Sequence, residues 1–101
     1  MNEPMKYVRK LSGEEAIKRY ILVLKDHLKI FPKVGTQFRI KIDNKLIKTE
    51  INLVEVWNQG SRHPGIEYHI DLSKHIDLFR PHFGQKVTLT KKSEKTFELS
   101  M

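Results

Sequence analysis

The chain predicts an α+β fold: an N-terminal amphipathic helix followed by a small, mostly antiparallel, β-barrel-like domain with one short helix. Three observations carry this. Between Ser12 and Phe31, apolar residues recur at spacings of three and four, the period of a helix with one buried face. From Phe38 onward they alternate with polar residues instead, the pattern of half-buried strands. A length of 101 residues fits a single domain, 1–101, with one modest core. Cysteine is absent, which excludes disulfides, thiolate metal sites and a cysteine nucleophile and agrees with a cytoplasmic location.

Met1 to Leu11 carries Lys6, Arg9 and Lys10 around scattered polar residues and reads as a flexible basic arm. It has no apolar run of the kind a signal peptide or a membrane span needs, so no membrane partner is expected. Ser12 stands three residues before Glu15, the capping-box spacing in which each side chain satisfies the other residue's backbone N–H. The helix this starts should run from Gly13 to Ile30. Ile17, Tyr20, Ile21, Leu24 and Leu28 form its buried stripe, and Pro32 ends it by driving the residue before it out of the helical region.

After the turn at Val34-Gly35, Phe38, Ile40 and Ile42 face one way and Arg39 and Lys41 the other. Asp43-Asn44-Lys45 is a tight turn, because Asn tolerates the left-handed backbone that hairpins require. The return strand alternates through Ile47, Thr49, Ile51 and Leu53, then changes parity at Val54 and Val56. Such a slip predicts a β-bulge at Leu53-Val54. Asn58 to Gly65 is the most polar, Gly- and Pro-rich connection in the chain and the natural binding loop.

The remaining third, Ile66 to Leu99, reads as one unit. Ile66, Tyr68, Ile70 and Leu72 alternate as a strand, and Ser73 opens a short helical turn that brings Ile76, Phe79 and Phe83 inward until Pro81 stops it. Gly84 then reverses the chain. Val87 and Leu89 lie on a second strand, Lys91 to Lys95 make a polar turn, and Phe97 and Leu99 begin a third. Phe38, Phe79, Phe83 and Phe97 are assigned to the core.

In Leu72-Ser73-Lys74-His75-Ile76, Phe83-Gly84-Gln85-Lys86-Val87-Thr88-Leu89 and Phe97-Glu98-Leu99 this unit resembles the repeating half of the cradle-loop β-barrels, which include AbrB-like transcription factors and B3-like DNA-binding domains. Gln85 stands where that pattern usually has Asp, and Ser73 where AbrB-like strands often have Pro. The resemblance implies strand-and-loop readout of double-stranded DNA without a recognition helix. It also implies either a swapped homodimer, as in AbrB-like proteins, or a single barrel, as in B3-like domains.

Charge points the same way. The net charge of +7 lies wholly in the first half: Met1 to Lys48 holds 12 Lys and Arg against 5 Asp and Glu, and Thr49 to Met101 holds 7 of each. A basic excess so placed predicts a face for a polyanion. The function expected is a double-stranded DNA-binding module of a small transcriptional regulator or mobile-element protein. Arg39, Lys41, Lys45 and Lys48 anchor phosphates, and Asn58, Gln59 and Arg62 supply base reading. The alternative is an interaction or inhibitory module whose basic face meets an acidic protein partner. That needs an exposed anchor, for which Trp57 is the candidate.

Four histidines, His63, His69, His75 and His82, are spaced by six or seven, which places no two on one helical face as a metal pair would be. They read as structural, with no metal and no cofactor. Glu50, Glu55, Glu67, Asp71 and Asp77 fall on different elements, and no phosphate-binding glycine loop or nucleophile elbow occurs. The chain is not expected to be an enzyme.

Overall fold

The structure is a computed structural model in which residues 5–57, 60 and 62–101 are described. It is α+β, built mostly of strands in two sheets. The five-stranded sheet has the order β1-β7-β8-β3-β4 and the three-stranded sheet the order β2-β6-β5. Their ranges are β1 Lys6–Lys10, β2 Tyr20–Val23, β3 Phe38–Ile42, β4 Lys45–Thr49, β5 Ile51–Val56, β6 Gly65–Asp71, β7 Lys86–Ser93 and β8 Thr96–Ser100. All neighbours are antiparallel except β3 and β8, which run parallel. A six-residue helix, α1 (Gly13–Lys18), and a 3₁₀ helix, Lys25–Ile30, complete the regular elements.

The strands do not close into a barrel among the described residues. On one side the chain passes from β4 to β5 across the single residue Glu50, so one segment feeds both sheets. On the other, β1 and β2 meet through side chains and not through a ladder. Tyr7 Oη donates to the Leu22 carbonyl at 2.7 Å and accepts from the Leu24 N–H at 3.1 Å, while Glu15 Oε2 accepts from the Leu22 N–H at 2.9 Å. These bonds satisfy the β2 edge that would otherwise invite a further strand.

The long amphipathic helix expected over residues 13–30 is not formed. Its start is as predicted, with Ser12 and Glu15 making the reciprocal capping box. Arg19 then adopts the left-handed conformation, φ 59°, and Tyr20-Ile21-Leu22-Val23 pairs with Asp71 to Tyr68 on β6. Local propensity permits the strand and the pairing with β6 decides it. Tyr, Ile and Val lose side-chain freedom in a helix and pack well on a pleated surface, so a spacing that suits both periods resolves as strand. Ile17, expected in the buried stripe, is 78% exposed, whereas Ile21 is fully buried.

The basic arm is likewise replaced by structure from Lys6 onward. Lys6 to Lys10 form edge strand β1 against β7, held by Tyr7, which is buried beside the rings of His27 and Phe31. The helix expected after Ser73 is reduced to turns closed by His75 N–H to the Leu72 carbonyl and Phe79 N–H to the His75 carbonyl. Phe79 is buried there as expected, but Ile76 and Phe83 are exposed. Phe83 instead lies over the glycine that opens α1.

Strand alternation is otherwise reproduced. Phe38, Ile40, Ile42, Ile47, Val87, Leu89, Phe97 and Leu99 are buried between the sheets with Ile21, Ile51, Ile70 and Leu72. Phe97 stacks on Phe31 at 4.8 Å and meets Phe38 edge-on at 5.4 Å. The Asp43-Asn44 hairpin has the two positive φ values, 49° and 67°, that such turns require. The β-bulge expected at Leu53-Val54 is absent, since β5 pairs with β6 in unbroken register from Ile51 to Val56. The parity change reflects the strand outrunning the core, so that Leu53 is half exposed. A register shift occurs instead in β7, between Lys91 and Ser93.

Candidate nucleic-acid interface

Residues directly opposite on paired strands share a face, so the register of the five-stranded sheet states what its outer surface carries. One row runs Lys6, Thr90, Glu98, Lys41, Leu46 across all five strands. A second holds Val8, Thr88 and Ser100. Lys10 lies opposite Lys86 at one corner, and Arg39 lies between Thr96 and Lys48 at the opposite corner. The face therefore holds six cations, Lys6, Lys10, Lys86, Arg39, Lys41 and Lys48, against the one carboxylate of Glu98. All six are exposed, and among the described residues none of them forms an ion pair within 4.0 Å.

Two of the cross-strand pairs, Lys10 with Lys86 and Arg39 with Lys48, set like charges directly opposite one another, each at a cost of some tenths of a kcal/mol. From strand spacing and rise, the two corners are about 25 Å apart along the diagonal of the sheet. At the Arg39 corner the surface dips into a groove of about 440 Å³ lined by Gln37, Phe38, Arg39, Lys48, Lys95 and Thr96. No acidic residue lines it. Threonine and serine hydroxyls fill the space between the cations, and among the described residues the outward strand positions carry no aromatic side chain, the Phe38 that lines the groove being buried.

The predicted residues thus divide. Arg39, Lys41 and Lys48 come together on this face. Lys45 pairs with buried Ile42, so it leaves the sheet at the hairpin rim and not on the face. Asn58 and Gln59 lie outside the described residues. Arg62 is exposed in the β5–β6 connection, at the far end of a strand that runs about 17 Å from the Glu50 crossover. It stands apart from the cation band. Lys6, Lys10 and Lys86 were missed because their strands pair residues about 80 positions apart; alternation of Lys6 and Lys10 about Tyr7 was the only local sign.

The outer surface of the three-stranded sheet has the opposite character. Its groove, about 560 Å³, is lined by four carboxylates, Glu14, Glu55, Glu67 and Asp71, against the one lysine, Lys18, together with Trp57, Tyr20 and His69. Tyr20 stacks on His69 with ring centroids 3.9 Å apart and planes at 7°, and His69 Nε2 lies 2.8 Å from Glu67 Oε1. Burial and then the nearby carboxylates of Glu14, Glu67 and Glu15 push the Tyr20 hydroxyl up to about 12. Trp57 is 63% exposed but stands among carboxylates, a setting that repels phosphate. Among the described residues no three His, Asp or Glu side chains converge as a metal site, and no helix is long and apolar enough to cross a membrane.

Glu15, although charged, belongs to the scaffold. It is 1% exposed and pairs with Arg9 at 2.7 Å while accepting from the Ser12 and Leu22 N–H groups. Burial pushes its carboxyl up, but the hydrogen bonds from Arg9, Leu22 and Ser12 outweigh that and hold it below its ordinary value.

No family model and no curated protein sequence matches the chain. Among solved structures, the fold is similar to that of the N-terminal domain of Helicobacter pylori LlaJI.R1, with a TM-score of 0.63 and 15% sequence identity over 94% of this chain and 84% of that one.

Proposed function

We propose that the chain is a non-catalytic double-stranded DNA-binding module, of the kind used by small transcriptional regulators or mobile-element proteins. It grips the duplex with the outer face of its five-stranded sheet. The observation that carries this reading is the band of six exposed cations, two pairs of them directly opposed, facing one carboxylate. Like charges kept together at a cost in stability are neutralised by a polyanion. A duplex is favoured over a single strand because the outward strand positions of the face offer hydroxyl, ammonium and guanidinium groups and, among the described residues, no exposed aromatic platform on which unpaired bases stack. Its diagonal of about 25 Å matches about seven base pairs of duplex. Readout by strands and loops, which the resemblance to AbrB-like and B3-like domains implies, is supported by the shortness of α1, six residues long and the one α-helix among the described residues. An acidic protein partner finds less support here, because its required anchor, Trp57, lies on the other sheet.

Binding to a fluorescent random-sequence duplex across a salt series, beside single-stranded DNA and RNA of equal length, tests the proposal. The duplex is expected to bind most tightly, with affinity falling log-linearly as salt rises. Absence of binding to all three at low salt refutes a nucleic-acid role, and preference for either single strand refutes the duplex.

A further inference from the structure

A second interaction surface lies on the three-stranded sheet, where β5 is an edge strand. The Gly35 N–H donates to the Ile51 carbonyl at 3.0 Å, so the backbone groups of Ile51 point away from β6. In an antiparallel strand this direction recurs every second residue. The N–H and C=O groups of Leu53 and Glu55 therefore also point outward, and among the described residues no backbone partner meets them. Such an edge is a template for one more strand.

The two surfaces beside that edge differ. On the outer side, Val54 and Val56 border the groove that holds Glu67, Asp71, Trp57 and Glu14, the last already paired with Lys18 at 2.9 Å. On the inner side, Leu53 and Ile66 are 50% and 56% exposed, because β5 and β6 extend past the core. An added strand presents alternate side chains to these two sides. Those on the groove side must be cationic, with long stems lying on Val54 and Val56 while their heads reach the carboxylates. Those on the inner side must be apolar where they cover Leu53, with Glu55 next along the same side. Pairing with the same edge of a second copy is disfavoured by charge, since it would bring two sets of Glu55 and Glu67 together.

We propose that the β5 edge binds an extended protein segment in which Lys or Arg alternates with apolar residues, taken up as a fourth strand. This surface is separate from the cation band and does not depend on its role. The test uses the full chain and a fluorescein-labelled peptide of alternating lysine and valine, read by anisotropy and by Trp57 emission. The lysine-valine peptide is expected to bind about tenfold or more tightly than a glutamate-valine peptide, with a blue shift of Trp57. Combining Glu14→Gln with Glu67→Gln, the carboxylates on the groove side, should weaken it about fivefold. Methylating every second backbone nitrogen of the peptide on its pairing edge should abolish binding without touching the protein. Leu53→Pro should do the same from the protein side, removing an outward N–H that no strand of the fold uses. Equal binding of the basic and acidic peptides, undiminished binding of the methylated one, or no binding of either overturns the proposal. So does a dimer in sedimentation that Leu53→Pro dissolves.

Discussion

Removing the Arg39 and Lys48 charges together is the most direct probe of the sheet face. The two residues are directly opposed on β3 and β4 and line the same groove. If all six cations of the face neutralise phosphates, the slope of log affinity against log salt is about −5, and affinity falls about a thousandfold between 50 and 200 mM salt. Arg39→Ala with Lys48→Ala removes two of those contacts and should flatten the slope to about −3.5. Lys25→Ala with Lys29→Ala is the matched control. It lowers net charge equally, but from the 3₁₀ helix, which packs under β1 where His27 meets Tyr7. Fluorescence anisotropy with a labelled duplex at four or more salt concentrations reads both slopes. Because the Arg39–Lys48 pair is repulsive, its removal should leave stability in urea unchanged or raise it by a few tenths of a kcal/mol. A weakened complex is then not an unfolded protein. Equal slopes for the two double variants would refute the placement of the interface, whatever the affinity of the native chain.

Two further perturbations test the scaffold. Glu15→Ala leaves Arg9 and the Leu22 N–H without their partner and should cost about 3–5 kcal/mol in urea denaturation at pH 7. Since the folded carboxyl titrates below its ordinary value, its stabilisation is present above the unfolded pKa and is lost as pH falls through the folded one, so the gap between native and variant should close in acid. Undiminished separation at pH 2 would contradict the assignment. Tyr20 works in the opposite direction: its hydroxyl is raised to about 12, so stability should fall between the ordinary value of 10.0 and that point, as the unfolded chain ionises first. Tyr20→Phe should reduce that alkaline loss in a series of urea midpoints, and an unchanged loss would assign it elsewhere.

The two sheets divide the molecule electrically. Cations gather on the outer face of the larger one, and carboxylates line the groove on the smaller. A net charge of +7 describes neither surface. Association with a polyanion would orient the chain with its acidic groove turned away from the bound phosphates. If both proposals hold, the two surfaces are available at once.

Local chemistry made much of this chain legible. Alternation at Phe38-Ile40-Ile42, Val87-Leu89 and Phe97-Leu99 placed the core side of those strands, because a strand's two faces differ in burial and nothing distant need be known. Asn44 marked the hairpin and Ser12 with Glu15 marked the helix start for the same reason, each being satisfied within four residues. Arg39, Lys41 and Lys48 followed from the same alternation.

What alternation leaves open is the partner on the far side of each strand. Ile17, Tyr20, Ile21 and Leu24 fit a helical stripe as well as they fit a helix followed by a strand, and pairing with His69 and Ile70 decided between them. Lys6 to Lys10 looked like an arm because one buried tyrosine is a weak local signal; its burial depends on Leu22, His27 and Phe31. The parallel pairing of β3 with β8 brought Glu98 between Lys41 and Thr90, and the pairing of β1 with β7 added Lys6, Lys10 and Lys86. Composition by itself determined the net charge of +7 and its excess in the first half of the chain. Only non-local strand order decided where those charges collect, because a surface is shared among strands that are neighbours in space and distant in sequence.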